Sequence, residues 1–457
     1  PRRPAGDRLR PGHRAMALGY VSQPLESWGR VVRAPQLLAR PSHADELPDL
    51  LGQASAGPVL GVGLGRSYGD SGLNPGGRTI CLRGLDRFIA FDPQQGVLRA
   101  ESGVSLDEIL RLVVPHGWFL PTTPGTRFVT LGGAIANDVH GKNHHRAGPF
   151  GRHVRRLGLL RSDRGMLEVS PLDTPDLFNA TLGGLGLTGL VVWAEIALVP
   201  IASSFLDQQA LPFANLGEFF ALSAESEAAF EHVSSWIDCT AKGRSLGRGV
   251  MFRANWSTLG ALPLHAERPR LSIPIEAPAG LMNDLTLKAF NAAYLVRQRL
   301  GPATTRVHYS SAFHPLDAIG GWNRLYGPRG FYQHQFVVPP SSQEPAVAEV
   351  LRTIAAAGQG SFLAVLKTLG PAQSGGLVSF HGPGTSLALD FPNRGAVTLA
   401  LLDRLDQIVV AAGGRVYPAK DGRMSAAVFR AGYPRWPELE RQRDPLFSSG
   451  FWRRVAQ

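Results

Sequence analysis

Cysteine is nearly absent: Cys81 and Cys239 are the only two in 457 residues. No Cys-x-x-Cys pair and no Cys/His zinc spacing accompanies them, so neither a disulfide framework nor a structural metal is expected, and a reducing compartment fits. Long apolar runs are missing as well. Nowhere do about 18 apolar residues follow one another, which leaves no candidate membrane-spanning helix, and no secretory h-region is present. The chain also lacks an internal repeat and any basic block interleaved with aromatics. Its net charge of +11 is scattered instead of gathered on one recognition helix, so no nucleic-acid partner is expected. Cytoplasmic or peripherally membrane-associated placement is expected, with the periplasmic face left open.

Glycine and proline are plentiful, at 53 and 35 residues, and point to many turns and to surfaces lined by bare backbone. The length suits two domains, because a single core stops growing below about 300 residues. Residues 1–20, with Arg2, Arg3, Arg8, Arg10 and Arg14 set among Pro and Gly, are expected to form a disordered extension.

Local signals give an α+β fold. Ser105 to Glu108 is a capping box, and Leu106, Ile109, Leu110 and Val113 follow on one face, which predicts a helix over 106–114. Residues 58–62, 79–82 and 191–199 read as strands. A polar helix is expected near 218–233, an irregular stretch over 262–280 and an amphipathic segment over 281–300. From Pro345 the pattern runs helix to Gly358, strand 361–367, strand 387–391, helix 396–412 and strand 415–419, a compact antiparallel sheet with helices on one face.

Three glycine-rich segments fall in the first 190 residues: Gly61 to Asp70 (GVGLGRSYGD), Pro124 to His140 (PGTRFVTLGGAIANDVH) and Gly183 to Gly189 (GGLGLTG). Without a Cβ, backbone N–H groups can converge on an anion. The first segment is no Rossmann fingerprint, since Arg66 stands where the third Gly belongs and no helix opens there. Each alone reads as a tight loop; together, with the hydroxyls of Ser67, Thr126, Thr130 and Thr188, they point to a dinucleotide.

Polar clusters supply the candidate chemistry. His140 and His144 are spaced i, i+4, but Gly141 and Asn143 are poor helix formers and no acidic or Cys partner is near, so the loop is expected beside a cofactor and not around a metal. Lys420, in Tyr417 to Asp421, could be a solvated charge, hold an anion, orient a hydroxyl or accept a proton; the residues alone leave these open. Residues 330–336 alternate like a strand, with Tyr332, His334 and Phe336 on one face and Gln333 and Gln335 on the other. Paired amides suit hydroxyl recognition, and Lys367 on a neighbouring strand adds a donor.

In order and spacing the glycine segments resemble the PCMH-type FAD-binding domain of the vanillyl-alcohol-oxidase superfamily, in which two small α/β subdomains clasp the cofactor. Many members attach the flavin through a His at the position of Arg66, so the resemblance implies non-covalent FAD. The motifs at His140 to His145 (HGKNHH), Phe313 to Asp317, Trp322 to Pro328, Gln333 and Gln335, Asp390 to Pro392 and Tyr417 to Lys420 resemble, more closely, the decaprenylphosphoryl-β-D-ribose 2-oxidase family, from about Trp28 to the C-terminus.

That resemblance implies oxidation of the ribose 2-hydroxyl of a polyprenyl-phosphate sugar, with a partner short-chain dehydrogenase reducing the ketone to the arabinose epimer used in cell-wall arabinan. It places cofactor contacts at Gly63, Leu64, Gly65, Arg66, Ser67, Tyr68, Gly69, Gly125, Thr126, Thr130, Gly132, Gly133, Asn137, Val139, His140, Gly141, Val191 and Tyr417. Lys420 and His140 would be catalytic, and Lys142, Gln333, Gln335, Lys367, Ser386, Asp390 and Lys420 would bind substrate. Residues 21–200 would form the FAD domain, 201–412 the substrate domain, and 413–457 a segment returning to the FAD domain. Mycobacterial members carry Trp, Asn, Cys, Tyr and Tyr where this chain has Thr385, Ser386, Ala388, Phe313 and His334, all expected on the substrate side. A sugar-alcohol or aldonolactone oxidase or dehydrogenase on the same fold is therefore the second expectation.

Overall fold

A computed structural model describes residues 19–53, 57–267, 269, 271–277 and 283–456. Most of the extension expected over 1–20, and part of the irregular stretch over 262–280, lie outside the described residues. The architecture is α+β.

Two small sheets come first. Strands β1 (Val21–Glu26), β2 (Arg33–Ala39), β3 (Val59–Val62) and β4 (Arg78–Cys81) form a sheet of order β1-β2-β4-β3, parallel where β4 meets β2 and β3. Strands β5 (Phe88–Asp92), β6 (Val97–Glu101), β7 (Val154–Arg161), β8 (Gly165–Val169) and β9 (Leu190–Ala197) form an antiparallel sheet of order β5-β6-β9-β7-β8. Helix α1 (Leu106–Val113) begins where the capping box predicts: the Ser105 hydroxyl accepts from the Glu108 N–H, and the Glu108 carboxylate accepts from the Ser105 N–H. Its stripe of Leu106, Ile109, Leu110 and Val113 is fully buried against the second sheet.

The rest of the chain builds one sheet of eight strands, β10 (Phe205–Phe213), β11 (His232–Ile237), β12 (Gly249–Trp256), β13 (Thr304–His308), β14 (Phe331–Val338), β15 (Ala364–Leu369), β16 (Gly384–Pro392) and β17 (Arg415–Val416). Their order is β13-β10-β12-β11-β15-β16-β14-β17, antiparallel throughout. Helices α2 (Leu216–Ala229), α4 (Gln343–Ala357) and α5 (Ala396–Ala411) cover one face, burying Phe219, Val347, Leu351, Leu402 and Leu405 against Phe336, Leu366, Leu387 and Leu389. Helix α3 (Asp284–Leu300) packs Leu295 near Trp236 and Val250. No described helix is long and apolar enough to cross a membrane.

Several boundaries differ from expectation: the strands expected over 361–367 and 387–391 run over Ala364–Leu369 and Gly384–Pro392. The polar helix ends at Ala229, and Val233 lies in β11, because His232 to Ile237 is buried along its whole length between β12 and β15. The antiparallel sheet expected from Pro345 onward supplies three of the eight strands of a larger one that starts at Phe205. The last strand stops at Val416 instead of reaching Ala419: Pro418 has no N–H to donate to a ladder, and Pro418–Lys420 turns as a 3-10 helix.

Residues after Val416 lie back on the first sheets. The Val59 N–H donates to the Leu446 carbonyl at 2.8 Å, Asp444 accepts from the Ser162 N–H and hydroxyl, and Arg454 bridges Asp70 and Asp421.

Candidate active site

Between the two small sheets and the face of the large sheet opposite helices α2, α4 and α5 lies a cavity of about 750 Å³. Every residue given a cofactor, catalytic or substrate contact by the resemblance lines it except Gly69 and Ser386; His144 and Thr188 do not line it either. Gly69 lies against the backbone of Asp421 and Gly422, where a Cβ would come within 1.8 Å of the Asp421 carbonyl oxygen. Ser386 sits behind Gln335 and accepts from its amide nitrogen at 3.3 Å.

One half of the cavity is a backbone-lined cradle. The turn after β3 passes so close to Thr130 that a Cβ on Gly63 would lie 2.1 Å from the Thr130 hydroxyl, and Gly65 adopts a φ of +63°. At Gly65 and Gly125 no atom lies within 4 Å of where a Cβ would stand. The Thr130 hydroxyl itself accepts from the Gly133 N–H. Arg66 stacks 3.9 Å from the Trp28 ring centroid and donates to the Phe128 carbonyl. Asp317, from beyond β13, pins the facing loop by accepting from the Thr126 hydroxyl at 2.7 Å and the Arg127 N–H at 2.9 Å. Amides and hydroxyls beside the apolar walls of Leu82, Leu190 and Val191 fit a dinucleotide, whose pyrophosphate needs donors and whose rings need dry slots.

The other half is a chamber of half-buried lysines around a buried carboxylate. Lys142, Lys367 and Lys420 line it, with Asp390 as the facing carboxylate. The Lys142 ammonium donates to the Ala312 carbonyl at 2.7 Å and Lys367 to the Gly141 carbonyl at 3.4 Å. Lys420 sits 4.0 Å over the Tyr68 ring. Burial pulls Lys142 down to about 8; burial, with Lys142 and Lys420 nearby, pulls Lys367 down to about 7. Burial also lowers Lys420, against the pull of Asp390, and raises the Asp390 carboxyl, to which Gln333 donates at 2.6 Å.

Residues 35–170 match the FAD binding domain family. Over 454 residues the chain is 37% identical to decaprenylphosphoryl-β-D-ribose oxidase of Mycolicibacterium smegmatis, covering 94% of this chain and 97% of that protein. The chain belongs to the decaprenylphosphoryl-β-D-ribose oxidase family. It is 34% identical over 370 residues to an uncharacterized protein in the mprA 5′ region of Streptomyces coelicolor, covering 77% of this chain and all of that protein. To the alditol oxidase of a Streptomyces species it is 27% identical over 184 residues, covering 39% of this chain and 43% of that protein. FAD is the cofactor of this family member, an oxidoreductase acting on a sugar hydroxyl.

Of the five positions at which this member departs from the mycobacterial pattern, Ala388 and Phe313 line the cavity. The other three do not line it; Thr385 and His334 lie on the opposite face, contrary to the expectation that all sit on the substrate side, while Ser386 shares the cavity face. Thr385 donates to the Gln343 side chain, Ser386 lies behind Gln335, and His334 points to the helix-covered face, where its Nε2 meets Asp406 at 2.9 Å. The alternation along β14 sends His334 away from the Gln333 and Gln335 face.

Sequence reasoning missed a polar network behind His140. His140 Nε2 meets the Gln335 amide nitrogen at 3.2 Å and its Nδ1 meets His381 Nε2 at 2.8 Å. His381 Nδ1 meets the Ser379 hydroxyl at 3.0 Å, and the Ser374 and Ser379 hydroxyls both donate to Asp138. Asp138 stands one residue from Val139 in the second glycine segment, with a φ of +43°, but nothing local ties it to His381, 243 positions further on. Among the described residues no group of three His, Cys, Asp or Glu is placed to hold a metal ion.

Proposed function

We propose that this protein oxidises the 2-hydroxyl of a pentose carried on a polyprenyl phosphate, as in decaprenylphosphoryl-β-D-ribose, yielding the 2-keto sugar. The observation that carries this reading is the set of three half-buried lysines, Lys142, Lys367 and Lys420, facing the buried Asp390 carboxylate in the chamber beside the cradle. A cationic excess shielded from water is costly without an anion, and a sugar phosphate supplies one. Apolar residues Phe290, Tyr294, Leu316, Ile319 and Phe362 line the same cavity and suit a polyprenyl tail. The exposed Leu285, Val296 and Leu300 of α3, beside Arg297 and Arg299 in its last turn, suit a cover at the lipid entrance that rests on a membrane surface.

The residues of 21–200 would hold FAD, those of 201–412 the sugar phosphate, and 413–457 would bring Tyr417 and Lys420 to the junction. FAD would be held without a covalent link, since Arg66 offers no nucleophile and its guanidinium is engaged by Trp28 and Phe128. When bound, FAD supplies the acceptor for the hydride leaving C2. Lys420, lowered by burial, takes the hydroxyl proton as its neutral amine, and Asp390 pairs with the ammonium so formed. Gln333 and Gln335 orient the sugar hydroxyls, while Lys142 and Lys367 hold the phosphate. The released ketone would pass to a short-chain dehydrogenase.

The test is anaerobic titration of the purified holoenzyme, following the visible flavin band. Bleaching by polyprenyl-phosphoryl ribose and not by free pentose is the expected result. Bleaching by free sugars or polyols would replace this reading with oxidation of a soluble carbohydrate.

A further inference from the structure

The donors and acceptors behind His140 form a chain whose direction is set at one end. Asp138 is fully buried. Burial would raise its carboxyl, but His381, Ser374 and Ser379 outweigh that effect and keep it ionised, so it can only accept. The Gly151 N–H donates to it at 2.7 Å, and the Ser379 hydroxyl must spend its proton on it. Ser379 Oγ is therefore an acceptor toward His381, which makes His381 Nδ1 the protonated nitrogen and leaves Nε2 bare. His140 then donates from Nδ1 to that bare nitrogen, and its own Nε2 is an acceptor. The Gln335 amide nitrogen fills it, and also donates to Ser386.

One degree of freedom remains, the rotation of the Gln335 amide, and the chain removes it. With Nε2 committed to His140 and Ser386, Oε1 is turned to the cavity that Gln335 lines. We infer that Asp138, Ser379 and His381 are positioning residues that fix the tautomer of His140 and thereby present Gln335 as a hydrogen-bond acceptor, selecting a substrate hydroxyl as donor at that point. The inference about tautomers rests on this geometry together with an ionised Asp138 and neutral rings; only the choice of a hydroxyl donor rests on the proposed oxidation of a sugar.

Both rings stay neutral in their surroundings. Burial lowers His140 well below its ordinary value, assisted by Lys367, His381, His144 and Lys420. Burial lowers His381 too, with Asp138 opposing and Lys367 and Arg415 adding. His144 stacks on His381 at 4.9 Å. On its far side His381 borders a second cavity of about 190 Å³, shared with Ser374, Ser379 and Arg415, so the two histidines form a wall between two cavities.

The test uses the holoenzyme labelled with [15N]histidine. At neutral pH, His140 and His381 are both expected as neutral Nδ1–H tautomers; an Nε2–H tautomer or a charged ring at His140 would overturn the inference whether or not any sugar reduces the flavin. Kinetics supply the second arm, with the substrate that bleaches the flavin. In His381→Leu the His140 ring loses its acceptor, Gln335 is released, and KM is expected to rise about tenfold with a smaller change in kcat. His381→Gln, which can accept from His140 and donate to Ser379, is expected to restore KM. An unchanged KM in His381→Leu, or equal losses in both variants, would refute the positioning role.

Discussion

Lysine placed where water is scarce behaves as a switchable base or a switchable cation, and this chamber holds both. Lys420→Ala is expected to slow flavin reduction by about a hundredfold or more while the protein still purifies with FAD; anaerobic stopped-flow absorbance measures both. Lys367 and Lys142 titrate near 7 and 8 instead of 10.5, so the folded protein binds fewer protons than the unfolded chain between those values and 10.5. Their contribution to stability therefore rises with pH across that window. Anion holding has the opposite sign, because it needs the ammonium forms. The dissociation constant of a phosphorylated pentose is expected to increase about tenfold or more from about pH 6 to about pH 9, and that of an unphosphorylated sugar to change less, as read by flavin fluorescence. At this scale the sequence was informative where function and chain order coincide. Gln333 and Gln335 share a face because side chains alternate along a strand, and that is legible in residues 330–336. The partners of His140 are not, because Gln335 and His381 come from strands and loops that only the fold brings together. Gly69 and Ser386 show the converse: Gly69 follows cavity-lining Tyr68 yet packs on Asp421 and Gly422, and Ser386 shares the face of Ala388 and Asp390 yet is screened from the cavity by Gln335.

Elements followed their local signals more closely than sheets did. The capping box at Ser105 and the left-handed Gly358, with φ of +62°, set the start of α1 and the end of α4, because each is decided within one turn of chain. Strand pairing is not decided locally. Trp236 of β11 lies opposite Val365 of β15, and no periodicity in either segment names the other, which is why the sequence points to a sheet only from residue 330 onward and not to its first four strands. The glycine turn after β3 lies between these cases: its composition announced an anion cradle, and its closeness to Thr130 required the tertiary structure. Gly63→Ala drives a methyl into the Thr130 hydroxyl that caps the next short helix. The expected outcome is a folded protein with reduced flavin content, measured as the ratio of flavin to protein absorbance, and with weaker rebinding of added FAD.

Across the whole molecule, the two small sheets and the large one are fastened by residues from the end of the chain. Arg454 contacts Asp70 at 2.6 Å and Asp421 at 3.0 Å, and burial raises the Asp421 carboxyl against the pull of Arg454 and Arg423. Removing the guanidinium leaves Asp421 buried without it, one residue from Lys420. Arg454→Ala is expected to lower stability by about 3 kcal/mol and to slow flavin reduction, seen together in thermal melts and single-turnover traces; Lys420→Ala should affect only the second. The position of Lys420 also orders events during synthesis. A nascent chain that has emerged only as far as Ala411 already carries every glycine of the cradle, but neither Tyr417 nor Lys420. Translation therefore delivers the glycines of the cradle well before the proposed base, Lys420, and before Arg454 can reach its two carboxylates.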